Sequence, residues 1–489
     1  MGRGTVATTA DVDTHVPVRE GEYGSKVAAV EPGGIEYIAE SERHGSPLQL
    51  FWTWMSPNLE FATVFVGILP IAIFGGGFWP TVIGVVLGSA LGSITHGLLS
   101  AMGPRFGVPQ LVWSRGAFGF IGNLLPGVLN AFTAGAGWFL VNSVSGTFAL
   151  VALSGLLNSH FSTPVLDFRV AFFIVVVVQV AVATIGHNMI HQFEKVVFPY
   201  LAIVFGIATV IVLAKTNPGL GFNAKAPVAF GGASGAFIIA VVASFGYAIG
   251  WNPFASDYSR YLPKNSSPWR VGLAAGLGVF ISCAVLEIAG AGAATIAALG
   301  PNPTKLFTDP LPEVLQVLVL LGIAVGAVAA NVLNIYSGAM SFLTLGIRLP
   351  LRLRRAVIAL AVGIVGLILG FVLEANVAPG SKYESFLLLI SYWITPYLAI
   401  TIIDYFLRRG EYVESEFYDT RHNNWQAPLA FIVGIAASVP FWNQEIYLGA
   451  IAKAHPEWGD LSFLVGGVVS AVVYLILRQV GRQPSTTRA

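Results

Sequence analysis

The stretch GYAIGWNPFASDYSRYLP, Gly246 to Pro263, decides how the chain is read. It continues an apolar, glycine-rich run, Val228–Phe245, that is long enough to be entering a membrane. Within it Trp251, Asn252 and Pro253 follow one another directly. Proline lacks a backbone donor and clashes with the preceding turn, so the order of residues predicts a broken helix. In lipid such a break is tolerated only where the freed backbone is buried in protein or lines a cavity. Transporters place substrate sites at breaks of this kind near the bilayer midplane, with a second break at the matching position of the other half. Ser56-Pro57-Asn58 supplies that partner, interrupting the first hydrophobic segment with Glu60 just beyond it. The chain reads as a secondary transporter whose site lies between the two breaks.

Composition agrees. The 489 residues are 55% hydrophobic and 10% charged, against roughly a quarter charged in soluble domains. This is an all-α polytopic membrane protein. A formal charge of +1 argues against a nucleic-acid partner. The single cysteine, Cys283, sits in an apolar run as a packing residue, so neither a disulfide framework nor a metal cluster is expected, and no cofactor is implied.

Residues 1–46 are polar, lack the apolar core of a signal peptide, and are expected to form a flexible cytoplasmic tail. Apolar runs of about 20 residues then give twelve spans. They lie near 48–73, 79–102, 123–152, 168–186, 194–214, 228–251, 270–299, 312–345, 354–374, 384–407, 427–443 and 461–478. The third and eighth are longer than a perpendicular crossing needs and should tilt. The transporter domain is thus 47–480, and 481–489 is a cytoplasmic C-terminal tail. With both termini inside, only Arg169, Lys215, Lys225, Lys305, Lys382 and Lys453 of the 26 Lys and Arg fall outside. That bias satisfies the positive-inside rule for a protein of the plasma (cell inner) membrane. Breaks in spans one and six suggest two five-helix repeats of opposite topology, with spans eleven and twelve appended.

Several side chains could carry chemistry. Ala134-Gly135-Ala136-Gly137 precedes Trp138, with small residues that allow close approach of a neighbour, and Asn142 follows one turn later on the same face. Asn331 and Asn334 share a face of span eight, where amides are expensive unless paired or facing a cavity; an interhelical bond suits Asn331 better than Asn334. With Trp251 at the sixth break, an aromatic face plus carboxamides suits a flat, neutral heterocycle, since an amide offers a donor and an acceptor to a base edge. Glu60 and Glu287 are intramembrane carboxylates and candidates for coupling. Asp257 could pair with Arg260, and Asp404 with Arg408. His187, Asn188 and His191, with Glu194 and Lys195, read as an interfacial connection rather than a metal site. An intramembrane enzyme would need a nucleophile–base pair or a metal cluster, and neither is present in the pattern. A channel is disfavoured because paired breaks suit alternating access.

Four motifs carry a resemblance that spans roughly residues 33–480. They are Trp52-Thr53-Trp54-Met55-Ser56-Pro57-Asn58, then Gly137-Trp138 with Asn142, then Trp251 through Tyr261 (WNPFASDYSRY), then Asn334-Ile335-Tyr336-Ser337. Together they resemble the nucleobase–cation symporter family 1, purine–cytosine permease branch. The resemblance implies a LeuT-like 5+5 inverted repeat with broken helices 1 and 6. It also implies symport of a nucleobase or of a related heterocycle such as allantoin, hydantoin or thiamine. In such proteins the ligand stacks between aromatics of helices three and six, and amides of helices three and eight bond its edge. Those roles fall on Trp138, Trp251, Asn142 and Asn334, with Ser56 and Asn58 of the first break as further substrate contacts and Tyr247 as a rival to Trp251. Sodium-coupled members carry hydroxyls where this chain has Val328 and Ala329. A hard cation wants oxygen ligands, so H+ is expected in preference to Na+, with Glu60 or Glu287 as its carrier.

Overall fold

The computed structural model describes residues 34–183, 187–226, 228, 231–346, 354–373, 381–444 and 447–480. Among them the architecture is helical. The helices that matter here are α1 (Leu48–Met55), α2 (Phe61–Ala72), α3 (Phe78–Ser100), α4 (Leu124–Phe132), α5 (Phe139–Phe161), α6 (Phe168–Ala183), α7 (His187–Lys215) and α8 (Gly232–Ile249). They continue with α9 (Ala255–Ser259), α10 (Pro268–Ala294), α11 (Glu313–Thr344), α12 (Arg354–Leu373), α13 (Ser381–Leu407), α14 (Gln426–Ser438) and α15 (Ser462–Val480). Eight described helices are long and apolar enough to cross a membrane, and the α1/α2 pair makes a ninth, bent span. Phe168–Ala183 and Gln426–Phe441 are shorter apolar helices, and α12 has 20 residues. The third and eighth spans are long, Leu124–Phe161 and Glu313–Thr344.

Helices α1, α2, α3, α8 and α10 form one packed group; α5, α6, α11 and α12 form a second, with α7 and α13 bracing them. Backbone approach within the first group is too close for side chains. A Cβ on Gly67 or Gly290 would overlap the backbone carbonyl of Glu287 or Val64, and one on Gly278 would stand 2.5 Å from the Phe51 carbonyl oxygen. Without a hydrophobic drive between helices in lipid, this intimacy is what holds them.

The two breaks differ in kind. In the first span the helix tightens into a 3-10 turn, Ser56–Asn58, and Leu59 (φ −80°, ψ 66°) and Glu60 (φ −151°, ψ 173°) leave helical geometry before α2 begins. The two halves are bent by 58°. In the sixth span Asn252–Phe254 forms a 3-10 turn between α8 and α9, yet Gly232–Ser259 still runs as one 28-residue span. Pro57 and Pro253 both occupy the first turn of their 3-10 segments, where a missing N–H leaves nothing unsatisfied. Proline placement is thus shared, and the sharp bend belongs to the first span, where Leu59 and Glu60 also leave helical geometry.

The breaks are bonded to each other. Trp251 donates its indole N–H to Asn58 Oδ1 at 2.7 Å, and Asn58 Nδ2 returns to the Trp54 carbonyl at 2.7 Å. Asn58 is fully buried and Trp251 nearly so.

Part of the N-terminal segment expected to be a free tail is seated on the body. Arg260 donates to the Gly34 carbonyl (2.9 Å), Tyr418 to that of Ile35 (2.8 Å), and Arg43 to that of Pro104 (2.5 Å). Residues 1–33 and 481–489 lie outside the described residues. Asp257 accepts the Gln110 backbone N–H at 2.9 Å. The expected Asp404–Arg408 pair is present at 3.0 Å, inside a larger cluster in which Tyr474, Tyr412 and Arg478 also reach Asp404.

Replacing Trp251 with Phe keeps an aromatic ring but removes the indole N–H and leaves Asn58 Oδ1 without that donor, a change worth about 1–3 kcal/mol. Purified Trp251→Phe is expected to melt at a lower temperature than the wild type; an unchanged melting temperature would show that the tie carries no stability.

Candidate functional site

The third span widens where it approaches the sixth. Thr133–Trp138 is a π-helical segment between α4 and α5, a geometry that recurs at functional sites. It brings Trp138 against α8. The indole meets Tyr247 edge-on at 5.3 Å and Phe386 of α13 edge-on at 5.1 Å. Glycine makes the room: a Cβ on Gly250 would stand 2.7 Å from the Trp138 ring, and one on Gly137 would overlap Phe386. The small residues before Trp138 therefore admit an aromatic ring of the tenth span. Of the two helix-six aromatics, Tyr247 reaches Trp138, whereas Trp251 turns to Asn58 and lies edge-on to Trp54 at 5.7 Å.

One turn beyond Trp138 an amide cluster joins spans three and eight. Asn142 Nδ2 donates to Asn331 Oδ1 at 3.0 Å, and Asn334 Nδ2 donates to the same oxygen at 3.3 Å. Asn331 donates in turn to the Phe139 carbonyl (2.8 Å) and Ser143 Oγ (3.1 Å). Asn331 is the interhelical hub, the structural role its position suggested. Asn334 differs: its Oδ1 is buried with no partner, an acceptor facing inward that a donor on a ligand edge would satisfy.

At the first break Ser56 is fully buried. Glu60 Oε1 accepts from the Tyr247 hydroxyl at 3.3 Å, and the carboxylate faces the backbone N–H groups that open α2. Thr63 shares the same hydroxyl at 2.6 Å. Glu60 is therefore one side chain away from Trp138. Glu287 Oε2 accepts from Ser244 (2.5 Å) and Ser89 (3.1 Å), tying spans two, six and seven, and its Oε1 has no partner. Val328 and Ala329 are buried in α11.

Two groups escaped the reading of the sequence. His96 on α3 is fully buried, lies edge-on to Trp54 at 4.2 Å, and sits beside Asn252 and the Trp251 backbone of the sixth span. Glu194 is the other. It was assigned to an interfacial connection, but α7 begins at His187, and Glu194 lies inside the helix with 0% exposure. The polar neighbours His191 and Lys195 disguised it. The side chains of His187, Asn188 and His191 lie outside the described residues. Among the described residues no three His, Cys, Asp or Glu side chains converge as a metal site.

Comparison with known proteins follows the same lines. The chain is 29% identical to a putative purine-cytosine permease of Bacillus subtilis, over 92% of this chain and 96% of that one. It is 28% identical to a purine-cytosine permease of Emericella nidulans, over 97% and 95%. Its fold matches that of Mhp1, a nucleobase-cation-symport-1 family transporter solved in a closed conformation with bromovinylhydantoin bound. The TM-score is 0.70 at 18% identity, covering 91% of this chain and 95% of that one. Residues 37–466 match the family model described as permease for cytosine/purines, uracil, thiamine, allantoin, and the chain belongs to that family.

Proposed function

We propose that the protein is a secondary active symporter that imports a nucleobase, purine and/or cytosine, together with a proton. The observation that carries this reading is the placement of Trp138 against the sixth-span break, one turn from an amide cluster that leaves Asn334 Oδ1 open. A ring to stack on and an acceptor at its edge suit a flat neutral base. The curated relatives, named as purine-cytosine permeases, point the same way. Another heterocycle such as allantoin, hydantoin or thiamine is the second reading, favoured by the family description and by the hydantoin held in the related structure.

The supporting architecture is two five-helix repeats of inverted topology, twelve spans in all, with both termini cytoplasmic in the plasma membrane. Helix contacts support the repeat: α3 packs on α8 and α10 packs on α2, while α11 packs on α6 and α12 on α5. Each of these pairs maps onto its counterpart when spans one to five are exchanged for six to ten. In this conformation Trp138, Tyr247 and Phe386 already touch, so a base stacks on Trp138 only after one of the other two rotates away. Tyr247 then takes the second aromatic role, with Asn142 and Asn334 at the base edge. Trp251, Asn58 and Ser56 shape the wall at the breaks. Competition uptake over cytosine, adenine, guanine, hypoxanthine, uracil and allantoin tests the substrate class: inhibition by allantoin alone would overturn the nucleobase reading.

Stacking on an aromatic is worth about 1–3 kcal/mol per base, so Trp138→Ala should raise the uptake KM by roughly tenfold to a hundredfold. Normal insertion with an unchanged KM would remove Trp138 from the site.

Sites built to bond a ligand edge reject ligands that leave buried groups unpaired. Asn142→Gln and Asn334→Gln are therefore expected to reorder the competition ranking. A fixed ranking with lower expression would make both residues purely structural.

Coupling rests on the absence of hydroxyls at Val328 and Ala329 and on buried Glu60 and Glu287. Uptake should rise as external pH falls, collapse with a protonophore, and be indifferent to choline in place of sodium. Glu60→Gln should lose the response to the pH gradient while labelled-substrate exchange continues; survival of the response would transfer the role to Glu287. Sodium-dependent uptake at constant pH would reject proton coupling.

A further inference from the structure

Among the described residues, the buried acids Asp404, Asp460, Glu287 and Glu60 are bonded to neighbouring side chains or backbone. Asp404 is reached by two arginines and two tyrosines. Asp460 accepts from Tyr392 and from the backbone N–H groups of Asn443 and Ser462 (2.9 Å each). Glu287 and Glu60 each accept at least one hydroxyl. Glu194 is fully buried, and its carboxyl oxygens make no hydrogen bond of regular geometry; the Ser56 hydroxyl is the polar side chain beside them.

Its surroundings are specific. α7 packs against α1, the 3-10 turn of the first break, α10 and α11. The polar side chain acting on Glu194 is Ser56, the first residue of that turn. Among the described residues no charged group acts on it from α1, α6, α10 or α11. The titratable group within its electrostatic reach is Tyr258 of α9, whose hydroxyl donates to the Leu333 carbonyl at 3.2 Å. On its own helix Lys195 is exposed. A bare carboxylate in such a setting is costly, and intramembrane acids of this kind mark ion or proton pathways. A carboxyl that only braced helices would be bonded to them, as the others are.

We propose that Glu194 is a second protonation site of the transport cycle, on the N-terminal side of the first break, and that it releases the proton when that side opens. This deepens the proton-coupled reading above and rests on it. Glu60 stands beyond the break, beside Tyr247; Glu194 stands before it, beside Ser56. The closed packing of α1 on α7 tolerates only the neutral acid. Water reaches Glu194 when α1 leaves α7; the O–H bond then breaks, the proton passes to water, and the carboxylate left behind is solvated. Because the charged form belongs to the open state and the neutral form to the closed one, proton release and opening favour each other.

The test uses the full-length protein in proteoliposomes, with labelled adenine and cytosine as probes. A one-unit pH gradient sustains about tenfold accumulation at one proton per substrate. Wild type should reach it; Glu194→Gln should not accumulate substrate, yet should keep counterflow, and Glu194→Asp should keep part of both. Infrared difference spectra at neutral pH should show a protonated carboxyl band in wild type that is missing from Glu194→Gln. Full accumulation by Glu194→Gln overturns the proposal and leaves the proton reading standing, whereas a wild type driven only by sodium overturns both. If Glu194→Gln loses counterflow as well, the infrared band decides: no band assignable to Glu194 overturns the proposal.

Discussion

Unwinding a helix inside a bilayer frees backbone donors and acceptors where no water can meet them. This fold depends on how that demand is met. The two 3-10 turns keep most of their bonds internal, as in Leu59 N–H to the Ser56 carbonyl and Phe254 N–H to that of Trp251, both at 3.0 Å. Asn58 covers the Trp54 carbonyl of its own span and accepts the indole N–H of Trp251 from the opposing break. The interruptions are therefore a single joint between two spans. The aromatic residues around it, Trp54, Trp251, Tyr258 and Tyr247, are packed there because a joint in lipid must also be dry.

Much of this was legible in the sequence. Proline inside an apolar run marks a change of helix type because the chemistry of proline is local: both Pro57 and Pro253 open 3-10 turns, though only the first span is sharply bent. Span boundaries followed from hydropathy for the same reason: Pro268–Ala294 was expected at 270–299 and Glu313–Thr344 at 312–345. Asn331 as an interhelical bond was legible because a buried amide has few other options.

The rest was not local. Which aromatic of the sixth span meets Trp138 depends on rotation about the helix axis, and a π-helical insertion before Trp138 resets that rotation on the third span. No pattern of apolar residues announces it. Trp251 and Tyr247 lie four residues apart, on one face, and only the partner across the gap separates them. Glu194 was hidden by polar neighbours that make a helix end look like a loop. The N-terminal segment from Gly34 looked free because its docking is made by backbone carbonyls, which carry no sequence signature.

The glycines that set spans one and seven together have a mechanical consequence. With Gly67 and Gly290 against carbonyl oxygens, and Gly278 against that of Phe51, no side-chain layer lies between the two spans to act as a lubricant. Sliding of one helix along the other would drive side chains into these carbonyls, so the close approach favours movement of the two spans together on either side of the first break. Both Glu60 and Glu194 lie where the inner segment α1 meets the rest of the molecule. A change of charge there acts at the joint between the two halves of span one, where the helix is already interrupted.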